Sequence, residues 1–146
     1  MKKTTLLTIL ICAAIFTGCS KSEEEVVAEN VKVARLLTGI GNRYWHLKEI
    51  YVDNVMQTLT DYQKSYTKTY TINAATQVSG TFHNSDNLSG TWEMDKTGAS
   101  WKESFTSNGG VPVELVYSVK SITGSSIDAS YTAKNGKLVR EVYYAY

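Results

Sequence analysis

Residues 111–119 put Val111, Val113, Leu115, Tyr117 and Val119 on one parity, five apolar side chains in strict alternation. That period of two is the signature of a half-buried β-strand. It recurs along most of the chain. Tyr44 to Val52 is rich in aromatic and β-branched residues. Tyr66–Ile72 sets Tyr66, Tyr70 and Ile72 against Thr67, Thr69 and Thr71. Val78, Gly80 and Phe82 share a side, as do Leu88, Gly90, Trp92 and Met94, and then Ala99, Trp101 and Phe105. Ile127, Ala129, Tyr131 and Ala133 form the seventh segment, and Leu138, Val142 and Tyr144 the apolar parity of the eighth. Eight strands of ordinary length are therefore expected.

Short polar turns separate them: Asn73–Thr76, Asn84–Asn87, Asp95–Gly98, Ser107–Gly110 and Lys134–Lys137. The last holds Asn135-Gly136, the pair favoured by type I′ hairpin turns. The sole proline, Pro112, follows Gly109-Gly110 at the start of a strand, where a missing N–H donor is tolerated. Connections this short leave no room for crossover helices, so the strands must run antiparallel as a meander. Closing such a meander removes its edges. The predicted fold is all-β: an antiparallel eight-stranded up-and-down barrel. Only Val26–Leu37 has helical spacing, with Val33, Leu36 and Leu37 on one face and Thr38–Gly41 as its stop. The one long connection, Asp53 to Lys64, is expected to lie at a barrel mouth as a loop.

Composition narrows function. The 146 residues carry 15 basic and 14 acidic groups, a formal charge of +1, with 42% apolar and 20% charged residues. One folded domain is expected. A near-neutral chain lacks the basic excess that phosphate backbones require, so no nucleic-acid partner is expected. Two cysteines and two histidines offer little for a metal site or a disulfide framework.

The N-terminus reads as an address. Lys2 and Lys3 precede the apolar stretch Thr4–Phe16, which is shorter than the ~20 residues a spanning helix needs. Phe16-Thr17-Gly18-Cys19 resembles the bacterial lipoprotein box. The resemblance implies cleavage after residue 18, diacylglyceryl attachment to Cys19 and acylation of the new amino terminus. An ordinary signal peptide with an incidental cysteine is the alternative. With Cys12 removed and Cys19 acylated, no free thiol remains for nucleophilic or thiolate chemistry. Ser20-Lys21-Ser22-Glu23-Glu24-Glu25 resembles the acidic export signal of Bacteroidota-type lipoproteins, which implies the outer face of the outer membrane. A solvated tether on a periplasm-facing anchor is the other reading. The expected organisation is a leader over residues 1–18, a lipidated tether over 19–25 and the barrel domain over 26–146.

Three segments resemble a family. Leu36-Leu37-Thr38-Gly39 followed by Tyr44-Trp45-His46-Leu47, then Ser89-Gly90-Thr91-Trp92, then Tyr117-Ser118-Val119 with Ile122-Thr123, are similar to the lipocalin-like domain of Bacteroidota lipoproteins. A weaker likeness is to small META-type β-domains, through the Trp45-His46-Leu47 opening. The first resemblance implies a lipocalin-like barrel, a membrane partner through the lipid anchor, and a small hydrophobic or amphipathic ligand.

Chemistry-bearing residues are sparse. His46 and His83 sit opposite their strands' main apolar sets, as surface or rim histidines would. Glu93, Glu114 and Glu141 are expected to face outward. Glu103 lies on the Trp101–Phe105 face and Arg140 between Leu138 and Val142, which allows an inward Glu103–Arg140 pair, or a bulge that turns either outward. No phosphate loop or nucleophile constellation is visible, so no enzyme, cofactor or metal is expected. Ten tyrosines and three tryptophans are the remaining resource. Trp45, Trp92, Trp101, Tyr117 and Tyr131 fall on apolar faces and are the candidate ligand-binding residues. The same five would serve equally to fill the core. Tyr143, Tyr144 and Tyr146 are expected to be more exposed and able to meet a glycan or a protein partner.

Overall fold

The alternating segments fold as β1 (Trp45–Val52), β2 (Val55–Met56), β3 (Thr67–Ile72), β4 (Ser79–Asn84), β5 (Ser89–Met94), β6 (Ser100–Thr106), β7 (Pro112–Ile122), β8 (Ser126–Thr132) and β9 (Leu138–Tyr144). The computed structural model describes residues 27–39 and 43–146. The leader, Cys19 and the acidic tether, all within residues 1–26, lie outside the described residues. From β3 onward each strand pairs antiparallel with the next, and β9 returns to pair with β1. The result is a closed, eight-stranded, up-and-down lipocalin-like barrel, with β2 as an extra strand on β1 and a short helix, α1 (Glu29–Thr38), before it.

The connection expected as one loop carries structure. Asp53 and Asn54 both take positive φ, 50° and 66°, and make the two-residue β1–β2 turn. One helical turn, α2 (Asp61–Lys64), follows, with Thr60 and Gln63 forming a reciprocal capping box. The β1 edge is thereby shared, its start paired with β3 and its end with β2.

Two single-residue bulges change which parity faces inward. Register shifts leave out Lys48 in β1 and Lys120 in β7. The inward set of β1 moves from Trp45 and Leu47 to Ile50 and Val52, and that of β7 from Val119 to Ile122. The last strand corrects the expected parity: Val139, Glu141 and Tyr143 oppose the inward-facing Tyr131, Ala129 and Ile127, so Leu138 and Tyr144 face out. The Asn135-Gly136 turn is also different. Only Gly136 has positive φ, and Ala133 and Lys137 close a three-residue loop that ends on that glycine. Type I′ needs positive φ at both central residues, whereas here one left-handed glycine restores the strand twist.

Helix α1 plugs one end of the barrel. It starts later than predicted and stops at Gly39, whose N–H bonds the Arg35 carbonyl. Its Ala34, Leu37 and Thr38 are buried. The Trp45 indole donates to the Leu37 carbonyl at 2.7 Å, and Arg35 donates to Gln77 in the β3–β4 turn at 2.7 Å. Above α1 the core is filled by Trp45, Trp92, Met94, Trp101, Tyr117 and Ile127. Gly80 lets Trp92 in: a Cβ there would lie 1.8 Å from the Thr71 carbonyl oxygen, to which the Trp92 indole donates at 2.9 Å.

Candidate functional site

The inward faces of β3 and β6–β9 bring charge into the barrel. Lys68, inward on β3 between Tyr66 and Tyr70, is 4% exposed, and Glu103 on β6 is 1% exposed. The ammonium donates to both Glu103 oxygens, at 3.0 and 3.2 Å, and lies 3.4 Å from the Tyr117 hydroxyl. Tyr70 O–H donates to Glu103 Oε1 at 2.5 Å and the Trp101 indole N–H to the same oxygen at 3.3 Å. The ammonium also faces the Tyr117, Phe82 and Tyr70 rings at 5.1, 5.5 and 5.9 Å. Burial is the largest single influence and lowers the Lys68 pKa, but Glu103, Tyr66 and Glu141 together outweigh it and push it up to about 12. Burial, reinforced by Glu103, holds the Tyr70 hydroxyl well above its ordinary value.

A second carboxylate sits beside this pair. Glu141 Oε2 accepts from Tyr143 O–H at 2.7 Å and Oε1 from Tyr131 O–H at 3.3 Å. Burial raises its pKa; Lys68 and the two hydroxyls pull it back, and Glu103 adds to the rise. Close by, the Tyr66 hydroxyl accepts from Asn84 at 3.0 Å. Among the described residues every buried side-chain nitrogen and oxygen has a partner.

The five sequence-predicted residues separate into two groups. Trp101 stacks on Tyr117 at 4.7 Å and Tyr117 meets Tyr131 edge-on at 5.1 Å, a ladder across β6, β7 and β8. Trp45 and Trp92 lie toward the α1 end, each tied to a backbone carbonyl. Four of the five are buried; Tyr131 is half-buried. Between Trp45, Lys68, Tyr70, Trp101, Ile127 and Tyr143 the void has no room for a water molecule.

Val78, Val119 and Ile122 are half-buried toward α1, and Phe105, Leu115, Tyr131 and Val139, with Ile50 and Leu59, toward the opposite end. Val55, Met56, Val111 and Leu138 stand exposed around the same end. Glu141 and Tyr131 lie among these residues, opposite Ile50 and Val139 respectively.

Several expectations need correction. Glu141 faces inward, not outward, because β9 presents the other parity. Arg140 is no partner of Glu103: it points out, donates to both Asp128 oxygens at 2.7 Å and lies over the Tyr51 ring at 4.6 Å. Tyr143 is buried. Tyr144 and Tyr146 do face out, and with His46 they form a three-ring cluster, His46 and Tyr144 stacking at 5.4 Å. His83 is exposed and bonds Ser89. A groove of about 630 Å³ also crosses the outside of β3–β5, lined by Thr71, Ile72, Thr81, Thr91 and Glu93 among others. Glu93 and Glu114 face out, as expected. The residue missed in the sequence is Lys68; its place between two tyrosines, on the parity opposite three threonines, was the available signal.

Among the described residues no three His, Cys, Asp or Glu side chains come together as a metal site, and no helix is long and apolar enough to cross a membrane. No protein-family model matches the chain, and no curated protein matches it significantly.

Proposed function

We propose that this is a lipid-anchored envelope protein, held in the outer membrane through Cys19, whose barrel takes a small hydrophobic or amphipathic molecule at its open end. The carrying observation is the half-buried set of Ile50, Leu59, Phe105, Leu115 and Val139 beside the polar pair Tyr131 and Glu141. Such a set gains about 25 cal/mol for each Å² of apolar surface a ligand covers, while the polar pair fixes orientation. The filled middle of the barrel limits the site to a shallow cup. It does not offer a deep calyx.

Native mass spectrometry of the full chain, extracted from its own host in two different detergents, tests this. A reproducible non-detergent mass that leaves on denaturation supports the cup. The covalent mass that remains reports acylation of Cys19, and Cys19→Ala should remove it and release the protein from membranes. A chain that carries no extra mass in either detergent overturns the ligand reading.

The second reading is a non-carrier interaction module that docks a glycan or another envelope protein. The packed core and the His46–Tyr144–Tyr146 cluster favour it, because stacked rings beside polar groups suit sugar faces and protein surfaces alike.

A further inference from the structure

Counting the charges that face into the barrel gives an imbalance. The inward positions of the eight barrel strands carry Lys68, Glu103 and Glu141 and otherwise uncharged side chains. One ammonium faces two carboxylates. Lys68 is committed to Glu103, bonding both of its oxygens. Glu141 receives one hydroxyl on each oxygen, where a carboxylate has about four acceptor positions. The nearest cation along the chain, Arg140, points outward and is held by Asp128. A partly desolvated carboxylate that shares its one nearby cation with a second carboxylate is costly to keep.

Glu141 lies beside the apolar residues described above, directly opposite Ile50. Resting on the ligand reading, we propose that the open end selects a small amphiphile with a cationic, amine-type head, which donates to Glu141 while its apolar part covers Ile50, Leu59, Phe105, Leu115 and Val139. A charge-assisted N–H···O⁻ bond in a partly dry site is roughly twice as strong as a neutral one, so the head group dominates selectivity. An anionic head would meet Glu141 with Glu103 behind it and is rejected.

The test uses the full chain in a neutral-lipid nanodisc, titrated calorimetrically at pH 7 with pentylammonium, pentanol and pentanoate, with empty-nanodisc heats subtracted. The expected result is binding of pentylammonium about tenfold or more tighter than pentanol, and no binding of pentanoate. Glu141→Gln should bring pentylammonium to within about threefold of pentanol in the same variant. Equal affinity of the wild type for pentylammonium and pentanol overturns the cationic selectivity and leaves the amphiphile reading standing; it is the result expected if Glu141 is protonated in the empty barrel. Failure of all three probes overturns both. Should Glu141→Gln not fold, the wild-type comparison decides alone.

Discussion

Lys68 and Glu103 meet 3.0 Å apart inside the barrel, from β3 and β6, strands separated by two others in the sheet. Both are buried, and each is supported by the aromatic groups around it: Tyr70 and Trp101 donate to the carboxylate, and Tyr117 touches the ammonium. A pair of this kind contributes more to choosing one arrangement than to net stability. A one-residue slip of either strand would turn its charge to the outside and strand the other in the core.

Breaking the pair from one side is therefore the severe change. Lys68→Met leaves Glu103 buried without its cation, and Glu103→Gln leaves Lys68 with a weaker acceptor. Each is expected to cost about 3–5 kcal/mol in urea unfolding. The double variant should cost less than either single change, since it leaves no orphaned charge. Additive losses in this cycle would show that the two side chains act independently.

The same pair sets an alkaline limit. Folded Lys68 keeps its proton up to about 12, while the unfolded chain releases it near the ordinary 10.5. Tyr70, Tyr117 and Tyr143 likewise stay protonated above the 10.0 at which unfolded tyrosines ionise. Across that window the folded state binds more protons, so stability falls as pH rises through it and is fully present below it. Urea midpoints should be level up to about pH 9.5 and fall steeply from there toward pH 12. In the Lys68→Met/Glu103→Gln double variant the fall should be shallower. A midpoint that does not change up to pH 12 would contradict the buried network.

Most of the barrel was legible because period-two patterning and short polar turns leave few alternatives. All eight strands fall where Val111–Val119 and its counterparts put them, and Glu103 stood out as a charge on an apolar face. What escaped was decided by single residues. The bulges at Lys48 and Lys120 have no compositional mark. In β9 both parities hold apolar side chains, and the choice falls to the set whose Glu141 finds the Tyr131 and Tyr143 hydroxyls. The partner of Glu103 could not be read, because Lys68 is 35 positions away and is brought to it only by the register of the sheet.

Gly80 tests how tightly the Trp92 corner is packed. A Cβ there would meet the Thr71 backbone at 1.8 Å and the Trp92 indole nitrogen at 3.0 Å, and strand backbone cannot retreat as a flexible side chain can. Gly80→Ala should cost about 3 kcal/mol or more. Gly109→Ala, where the nearest atom is 3.9 Å away, should stay within about 0.5 kcal/mol of wild type. Chemical denaturation of the two variants side by side checks this, and equal stability would mean that β3 and β4 are not so closely apposed.

Glu141 supplies the last prediction, and its sign is opposite to that of an ordinary paired carboxylate. Burial raises its pKa above 4.5 in the folded state, whereas Asp128, bonded by Arg140, is lowered from 3.8. Asp128 therefore contributes stability above its unfolded value that is lost only as pH falls below about 4. Glu141 contributes most below its own unfolded value, and that contribution is lost as pH rises through its folded pKa. In the ligand-free protein Glu141→Gln removes the ionisation, so its urea midpoint should equal or exceed that of wild type at pH 7. The difference should shrink as pH is lowered through the raised Glu141 pKa, where the wild-type carboxylate takes up its proton. Adding pentylammonium at pH 7 should raise the wild-type midpoint and leave that of Glu141→Gln nearly unchanged, because only the wild type has a charge for the amine to neutralise. A Glu141→Gln variant that is less stable than wild type by the same amount at pH 5 and pH 7 would show that the carboxylate serves the tyrosine hydroxyls and carries no uncompensated charge.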